Sequence, residues 1–420
     1  MAGYKMAARN ARHIPKEDKI FGINRRAKQA IAERGKDAVI NATIGTLLDD
    51  NGNLMVLKTV DRMFHELTAD EFAAYAPIGG TPEFKKAAIR AAFCDNLPEG
   101  YIEAVATPGG TGAIRNTIAN YSAYRDKVLT TDWFWTPYET ICEEMGRTVD
   151  VFKLFDVDGA FNIDSFEIKV NSLLEAQERL VIILNTPAHN PTGYALTVED
   201  WENVVKVLNR ADSDARITLL IDAAYIDFAG DEMKYREFLP VLGKLHKNIL
   251  PLMAYSMSKT FTLYGMRCGA LICIAPTEEI AAEFKRVVEF SSRGCWSNSP
   301  RAPQSIITRI FADEELHKEV SAERAEIRDL LLTRGRAFEE ECHKIGLKSV
   351  PFDAGFFVAI PCKDPMAICK ILEEEDIFLI PHSRGVRVSV ASIPESKCRV
   401  LPAKILEAFN KYDEMHESMK

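Results

Sequence analysis

No apolar run in the chain approaches the roughly 20 residues that a membrane-spanning helix needs. Met1 to Lys19 is polar and basic, without the apolar core of a secretory signal. Glu17 and Asp18 fit a transit peptide poorly. Positive charge is not in excess either. The net charge is −9, which argues against nucleic acid or an anionic membrane surface as the main partner. The nine cysteines are odd in number and contain no C-x-x-C pair. They read as reduced thiols, no metal site is expected, and the expected compartment is the cytoplasm. Repeats and low-complexity linkers are absent. What is present is ordinary globular composition. With 420 residues, 47% hydrophobic and 27% charged, the chain can build one large or two medium domains.

From Ile102 onward, short apolar runs alternate with helical stretches. Strands are expected at Ile102–Thr107, Lys127–Thr130, Val149–Leu154, Leu180–Leu184 and Arg216–Ile221. Helices are expected over 113–124, 136–145, 163–177 and 197–209. This alternation predicts βαβ units and a largely parallel sheet covered on both faces. Upstream, residues 1–15 read as an arm and 18–34 as a helix stopped at Gly35. A strand over Val39–Gly45 and a helix over Leu54–Phe72 follow. Thr81 and Pro82 then open a further helix as cap and first residue. After Arg293 the character changes. Helices are expected at Arg301–Phe311 and Glu314–Ile345, the second long enough to bridge two domains. A small α+β unit follows: strand Ala354–Ile360, helix 364–375, strand Gly385–Val390 and helix 394–413. The expected organisation is an N-terminal arm and part of a small domain over 1–50, a large domain over 51–300, and a small domain over 301–420. The N-terminal piece is expected to join the C-terminal unit.

In open α/β sheets, ligands bind outside the carboxyl ends of the strands. The unusual residues fall there. Asn185-Thr186-Pro187-Ala188-His189-Asn190-Pro191-Thr192-Gly193 follows one strand, and Asp222-Ala223-Ala224-Tyr225 the next. Pro108-Gly109-Gly110-Thr111-Gly112 reads as a turn into a helix whose backbone N–H groups suit a phosphate. The centre of the reading is Tyr255-Ser256-Met257-Ser258-Lys259, lying between the apolar runs Ile249–Ala254 and Ala270–Ile274. Enclosure there desolvates Lys259, lowers its pKa and makes it an amine nucleophile. Ser256 and the planar fork of Arg267 are suited to hold a phosphate. A lysine nucleophile beside a phosphate site suggests pyridoxal phosphate, held as a Schiff base. Ser256-Met257-Ser258-Lys259 also matches the S-x-x-K of penicillin-binding proteins and β-lactamases. That reading requires S-D-N and K-T-G, and Ser297-Asn298-Ser299 and Lys259-Thr260-Phe261 do not supply them.

From Asn41 to Ser392 the chain resembles the aspartate and aromatic amino-acid aminotransferases, fold type I of the pyridoxal-phosphate enzymes. The matching pieces are Tyr75-Ala76-Pro77-Ile78-Gly79-Gly80, Gly110-Thr111-Gly112, Trp135, His189-Asn190, Asp222 to Tyr225, Ser256 to Lys259, Arg267 and Arg387. The resemblance implies an α/β fold, with a large domain on a mainly parallel seven-stranded sheet and a smaller α+β domain. It implies that Lys259 bonds the cofactor and, once released, shuttles a proton from the substrate α-carbon. Asp222 would pair with the pyridine nitrogen, and Asn190 and Tyr225 with the phenolic oxygen. Trp135 would stack on the ring. Gly110, Thr111, Ser256 and Arg267 would hold the phosphate, with Tyr75 reaching in from the second subunit of a homodimer. Arg387 would grip the substrate α-carboxylate, beside a backbone contact at Gly45.

Departures are visible. Gly109 stands where the family often has serine, and Tyr138 where dicarboxylate enzymes commonly carry histidine. Arg293 resembles the arginine that a partner subunit offers to a side-chain carboxylate. It reads equally as a helix-terminal cation before Gly294. Amino-acid and 2-oxo-acid substrates are therefore expected, with aspartate, glutamate and aromatic donors all open. A lyase or decarboxylase of the same fold is the alternative. A non-enzymatic sensor would need a DNA-binding module that neither the short arm nor the acidic balance supplies.

Overall fold

The computed structural model describes residues 19–417, so the arm expected over 1–15 lies outside the described residues. Twelve strands follow in chain order: β1 (Ile40–Asn41), β2 (Tyr101–Thr107), β3 (Lys127–Thr131), β4 (Thr148–Phe152), β5 (Arg179–Asn185), β6 (Arg216–Asp222), β7 (Ile249–Ser256), β8 (Gly269–Ala275), β9 (Phe357–Pro361), β10 (Ile377–Phe378), β11 (Ile380–His382) and β12 (Gly385–Ser389). Seven of them form one sheet in the order β2-β8-β7-β6-β5-β3-β4. The pairings β4–β3–β5–β6–β7 are parallel, as the alternation of elements predicts. β8 departs from that pattern, running antiparallel to both β2 and β7.

The central strands are apolar on both faces because helices cover both. Ile182, Leu219 and Ile221 pack into one core, with Phe166 and Trp201. Their sequence neighbours Val181, Ile183 and Leu220 point into a second, with Ile114 and Phe284. The period of two is thus preserved, with burial on each side.

The helix Glu314–Ile345 begins at Asp313, whose carboxylate accepts the N–H groups of Glu315 and Leu316. Its N-terminal part sends Val320, Ile327 and Leu331 into the large core. Its second half sends Ala337, Phe338 and Cys342 into another core built with Val386, Val388 and Leu401. Beside that core β9, β12 and β11 form an antiparallel sheet. β1 pairs in parallel with β10. Helix Lys19–Arg34 packs Ile23, Ala27 and Ala30 against Phe378 and Ile380. Among the described residues no helix is long and apolar enough to cross a membrane.

Several expected elements are corrected. The helix expected over Leu54–Phe72 is two helices, Lys58–His65 and Ala69–Phe72. Asp49 accepts the N–H groups of Asn51 and Asn53, and a Leu48–Leu54 bridge keeps that stretch out of the helix. At Thr68 the Glu71 carboxylate takes both the N–H and the hydroxyl, which starts a fresh helix. The strand expected over Val39–Gly45 shrinks to β1, because the carbonyls of Thr43 and Gly45 turn to Arg387 and Lys259 instead. The strand expected from Ala354 starts at Phe357, since Asp353 and Ala354 donate to the Gly193 carbonyl. The glycine-rich turn is itself helical: the helix runs Gly109–Tyr121.

Candidate active site

Strand register gathers the chemistry at one sheet edge. Asn185 at the end of β5 lies beside Asp222 at the end of β6, which lies beside Ala254 on β7. Two residues on, Ser256 faces Gly269 of β8, which faces Thr107 of β2. A Cβ on Gly269 would sit 2.8 Å from the Gly109 carbonyl carbon and the Tyr255 oxygen, so only glycine lets these backbones meet.

One pocket is lined by Gly110, Thr111, Trp135, Asn190, Asp222, Tyr225, Ser256, Lys259 and Arg267, all expected from the sequence. Gly45 and Arg387 border it. The Gly45 carbonyl accepts from Lys259 Nζ, and Arg387 Nη1 donates to Asn190 Oδ1 at 3.2 Å. Two expected residues lie elsewhere on the chain. Tyr75 is 90% exposed. Arg293 is exposed in the last turn of helix Glu278–Cys295 and donates to Ser297 Oγ at 2.6 Å. Sequence reasoning gave no role to Ser258 or Asn185, which also line the pocket, or to Tyr264 beside Lys259. Ser258 had a signal, since it immediately precedes the lysine. Tyr264 had none.

Lys259 stands on the short helix Met257–Thr260, directly beyond β7. Its amine lies 4.7 Å from the Tyr264 ring centroid and 5.5 Å from that of Phe356. Burial, then the cations Arg387 and Arg267, pull its pKa down to about 7. A large fraction of the amine is therefore unprotonated near neutral pH.

Asp222 is 5% exposed. Its Oδ2 accepts from the Tyr138 hydroxyl at 2.5 Å, and its Oδ1 from the Ala224 N–H at 3.3 Å. Burial pushes its carboxyl up to about 6, against the pull of those two donors. Asn185 Nδ2 donates to the Asp222 backbone carbonyl at 2.7 Å, while Asn185 Oδ1 accepts from the Asn190 N–H at 2.7 Å. Asn190 Nδ2 in turn points at the Tyr225 hydroxyl at 3.4 Å. Burial raises the phenol of Tyr225, keeping it a neutral donor.

The same pocket also carries a cradle of donors of the kind that suits an anion. Helix Gly109–Tyr121 starts after Pro108 with no side-chain cap, so its first N–H groups face the pocket edge unclaimed. Arg267 Nη1 donates to Ser258 Oγ at 2.9 Å. Gly109 has φ +72, and a Cβ there would lie 2.5 Å from Arg267 Nη2. Gly109 thus leaves that space to the guanidinium, and Ser258 and Thr111 supply hydroxyls nearby.

Arg387 is 6% exposed and lies 4.3 Å over the Phe357 ring. Its Nη2 donates to the Thr43 carbonyl at 2.5 Å, and its Nε has no partner. Burial lowers its pKa to about 10, so it stays cationic at neutral pH. No carboxylate pairs with it in the described chain, an arrangement that suits an incoming one. Among the described residues, no three His, Cys, Asp or Glu side chains are placed to share a metal ion.

The profile of the family "Aminotransferase class I and II" matches residues 37–405. An aromatic-amino-acid aminotransferase of Paracoccus denitrificans is 27% identical over 88% of this chain and 92% of its own length. A mitochondrial aspartate aminotransferase of Schizosaccharomyces pombe is 25% identical over 91% of this chain and 86% of its own. The crystal structure of an aminotransferase from Anaerococcus prevotii superposes with a TM-score of 0.93 at 38% identity, over 97% of this chain and 99% of that one. On its profile, its relatives and its fold, the chain belongs to the class I and II aminotransferases, and it is an enzyme of transamination.

Proposed function

We propose that the enzyme carries pyridoxal phosphate on Lys259 and moves an amino group from an aspartate, glutamate or aromatic donor to a 2-oxo acid such as 2-oxoglutarate. The exchange runs as two half-reactions of a ping-pong cycle. One observation carries the reading: the Lys259 amine, with a pKa near 7, lies in one pocket with the Asp222 carboxylate and the anion cradle.

The residues fit the cofactor. The uncapped helix start, Thr111, Ser256, Ser258 and Arg267 would hold its phosphate. Trp135, half-buried and edge-on to Tyr138, offers a ring face toward the pocket. When bound, pyridoxal phosphate supplies a ring that accepts electrons from the substrate α-carbon. Asp222 would hold a proton on the ring nitrogen. Asn190 and Tyr225 would donate to the phenolic oxygen. Arg387 would orient the substrate by its α-carboxylate. Lys259, once free, is the nearest base for the α-proton.

Tyr75 and Arg293 are both exposed and lie outside the pocket of their own chain. They support a homodimer in which each protomer completes the other's site. The division into residues 1–50, 51–300 and 301–420 belongs to the same reading, supported by the β1–β10 pairing. The rings of Tyr225, Phe356 and Phe357 cluster at 5.2–6.2 Å, which favours aromatic donors. Arg293 favours dicarboxylates. A panel of donors against 2-oxoglutarate decides between them, and a protein that exchanges nitrogen with none is the lyase instead.

The first test is chemical. Pyridoxal phosphate added to the purified protein is expected to give a yellow complex. Borohydride is then expected to fix one cofactor on Lys259, read by peptide mass. A colourless protein with no adduct at that residue ends the proposal.

A second test addresses Tyr138. Its hydrogen bond lowers the Asp222 pKa, so Tyr138→Phe raises it above the wild-type value of about 6. A ligand that needs ionised Asp222 binds less well as pH falls through that pKa. Pyridoxamine phosphate, which forms no bond to the lysine, is expected to lose affinity at a higher pH in the variant than in the wild type. Coincident pH profiles of the two proteins would show that Tyr138 does not tune the carboxylate.

A further inference from the structure

Asp227 plays no part in the chemistry above, yet it is among the most heavily engaged groups in the molecule. It is fully buried, in the short 3-10 turn Ile226–Phe228 two residues beyond Tyr225. Its two oxygens have different company. Oδ1 takes Arg236 Nη2 at 2.6 Å and faces Arg324 Nη1 at 3.3 Å. Oδ2 takes the Tyr255 hydroxyl at 2.7 Å and the Thr260 hydroxyl at 2.7 Å.

The two hydroxyls flank the active lysine. Tyr255 immediately precedes Ser256, and Thr260 immediately follows Lys259. The lysine sits in a helical piece of only four residues, Met257–Thr260, which Thr260 ends. A single turn is not stable by its own hydrogen bonds. Something outside it must fix the direction in which Lys259 leaves the backbone. The two arginines tie the same carboxylate to the scaffold. Arg324 belongs to the long helix Glu314–Ile345 and also pairs with Glu232. Arg236 donates to the carbonyls of Ala91 and Ala92 in helix Pro82–Phe93.

We infer that Asp227 is a positioning residue for Lys259: its Oδ1 is anchored by Arg236 and Arg324, and its Oδ2 clamps the lysine turn from both ends through Tyr255 and Thr260. This rests on the pyridoxal-phosphate reading. Covalent attachment demands that the amine meet the cofactor aldehyde within a narrow range of distance and angle. Burial alone would raise the Asp227 carboxyl, but Arg236, Arg324 and the two hydroxyls outweigh it and hold it at about 2. The clamp therefore stays charged throughout the working pH range.

The test uses the hydroxyls, which leaves both ion pairs intact. Thr260→Val and the double variant Tyr255→Phe/Thr260→Val are compared with wild type in affinity for pyridoxal phosphate and pyridoxamine phosphate. The first ligand bonds Lys259 and the second does not. The double variant is expected to bind pyridoxal phosphate about tenfold less tightly or worse, with pyridoxamine phosphate unchanged within about twofold. Thr260→Ser, which keeps the hydroxyl, is expected to restore wild-type behaviour. Loss of both ligands in parallel marks a purely structural cluster and overturns the inference. So does an unchanged preference in the variants when wild type prefers pyridoxal phosphate. A wild-type protein that treats the two ligands alike overturns the underlying reading as well. If the double variant does not fold, the comparison of Thr260→Val with Thr260→Ser decides alone.

Discussion

Lys259→Ala is expected to lower kcat for transamination by on the order of 10⁴-fold or more, since the residue supplies both the covalent anchor and the nearest base. Substantial exchange between an amino acid and 2-oxoglutarate by this variant would remove the lysine from the mechanism. The same position has a stability consequence of opposite sign. In the folded, cofactor-free protein the amine has a pKa of about 7, down from 10.5. Between those values the unfolded chain holds the proton and the folded chain releases it. Folding is thus penalised in full below about pH 7, and the penalty fades as pH rises toward 10.5. Lys259→Met keeps the bulk and removes the charge. At neutral pH it is expected to stabilise the cofactor-free protein by on the order of 2 kcal/mol, and by less at higher pH. A calorimetric scan in which the variant melts lower would contradict this.

Arg387→Lys is expected to cut kcat/KM for every amino-acid donor by about 10²–10³-fold, because a point charge replaces a planar two-point donor in a buried site. The native side chain already spends Nη1 on Asn190 and Nη2 on Thr43, and it rests on the Phe357 ring. A lysine ammonium there reproduces neither the fork nor the stacking. The control is an amine donor without an α-carboxylate, whose slower turnover is expected to change by less than about threefold. If both donors suffer equally, Arg387 shapes the pocket rather than gripping a carboxylate.

The residues at strand ends were the legible part of the site. Asn185 and Asp222 follow apolar runs whose alternation with helices predicts parallel pairing, and the register sets them side by side; Ser256 ends the next run, two residues beyond the partner of Asp222. Lys259 could be read because it interrupts two such runs. Contacts between distant segments were not legible. Tyr138 meets Asp222 across 84 residues of sequence; the resemblance marked its position, where a histidine is common, but nothing local shows its hydroxyl donating to that carboxylate. Gly109 was read as part of a turn because glycine has low helix propensity. What suits glycine there is the backbone, whose φ of +72 strains any residue with a Cβ. The direction of β8 also escaped, since an apolar run carries no sign of which way it points.

The segment from Thr43 to Leu47 has a bearing on how the protein is made. It offers one carbonyl to Arg387 and another to Lys259, and its Leu47 N–H reaches the Tyr264 hydroxyl. It is steered there by β1, which docks on a strand translated more than three hundred residues later. At about 5–20 residues per second, that partner emerges on the order of tens of seconds after β1 itself. A nascent chain can therefore complete the central sheet on the ribosome and still lack the two carbonyls that seat its lysine and arginine. Catalytic competence should appear only once β10 has emerged, well after the central sheet has formed.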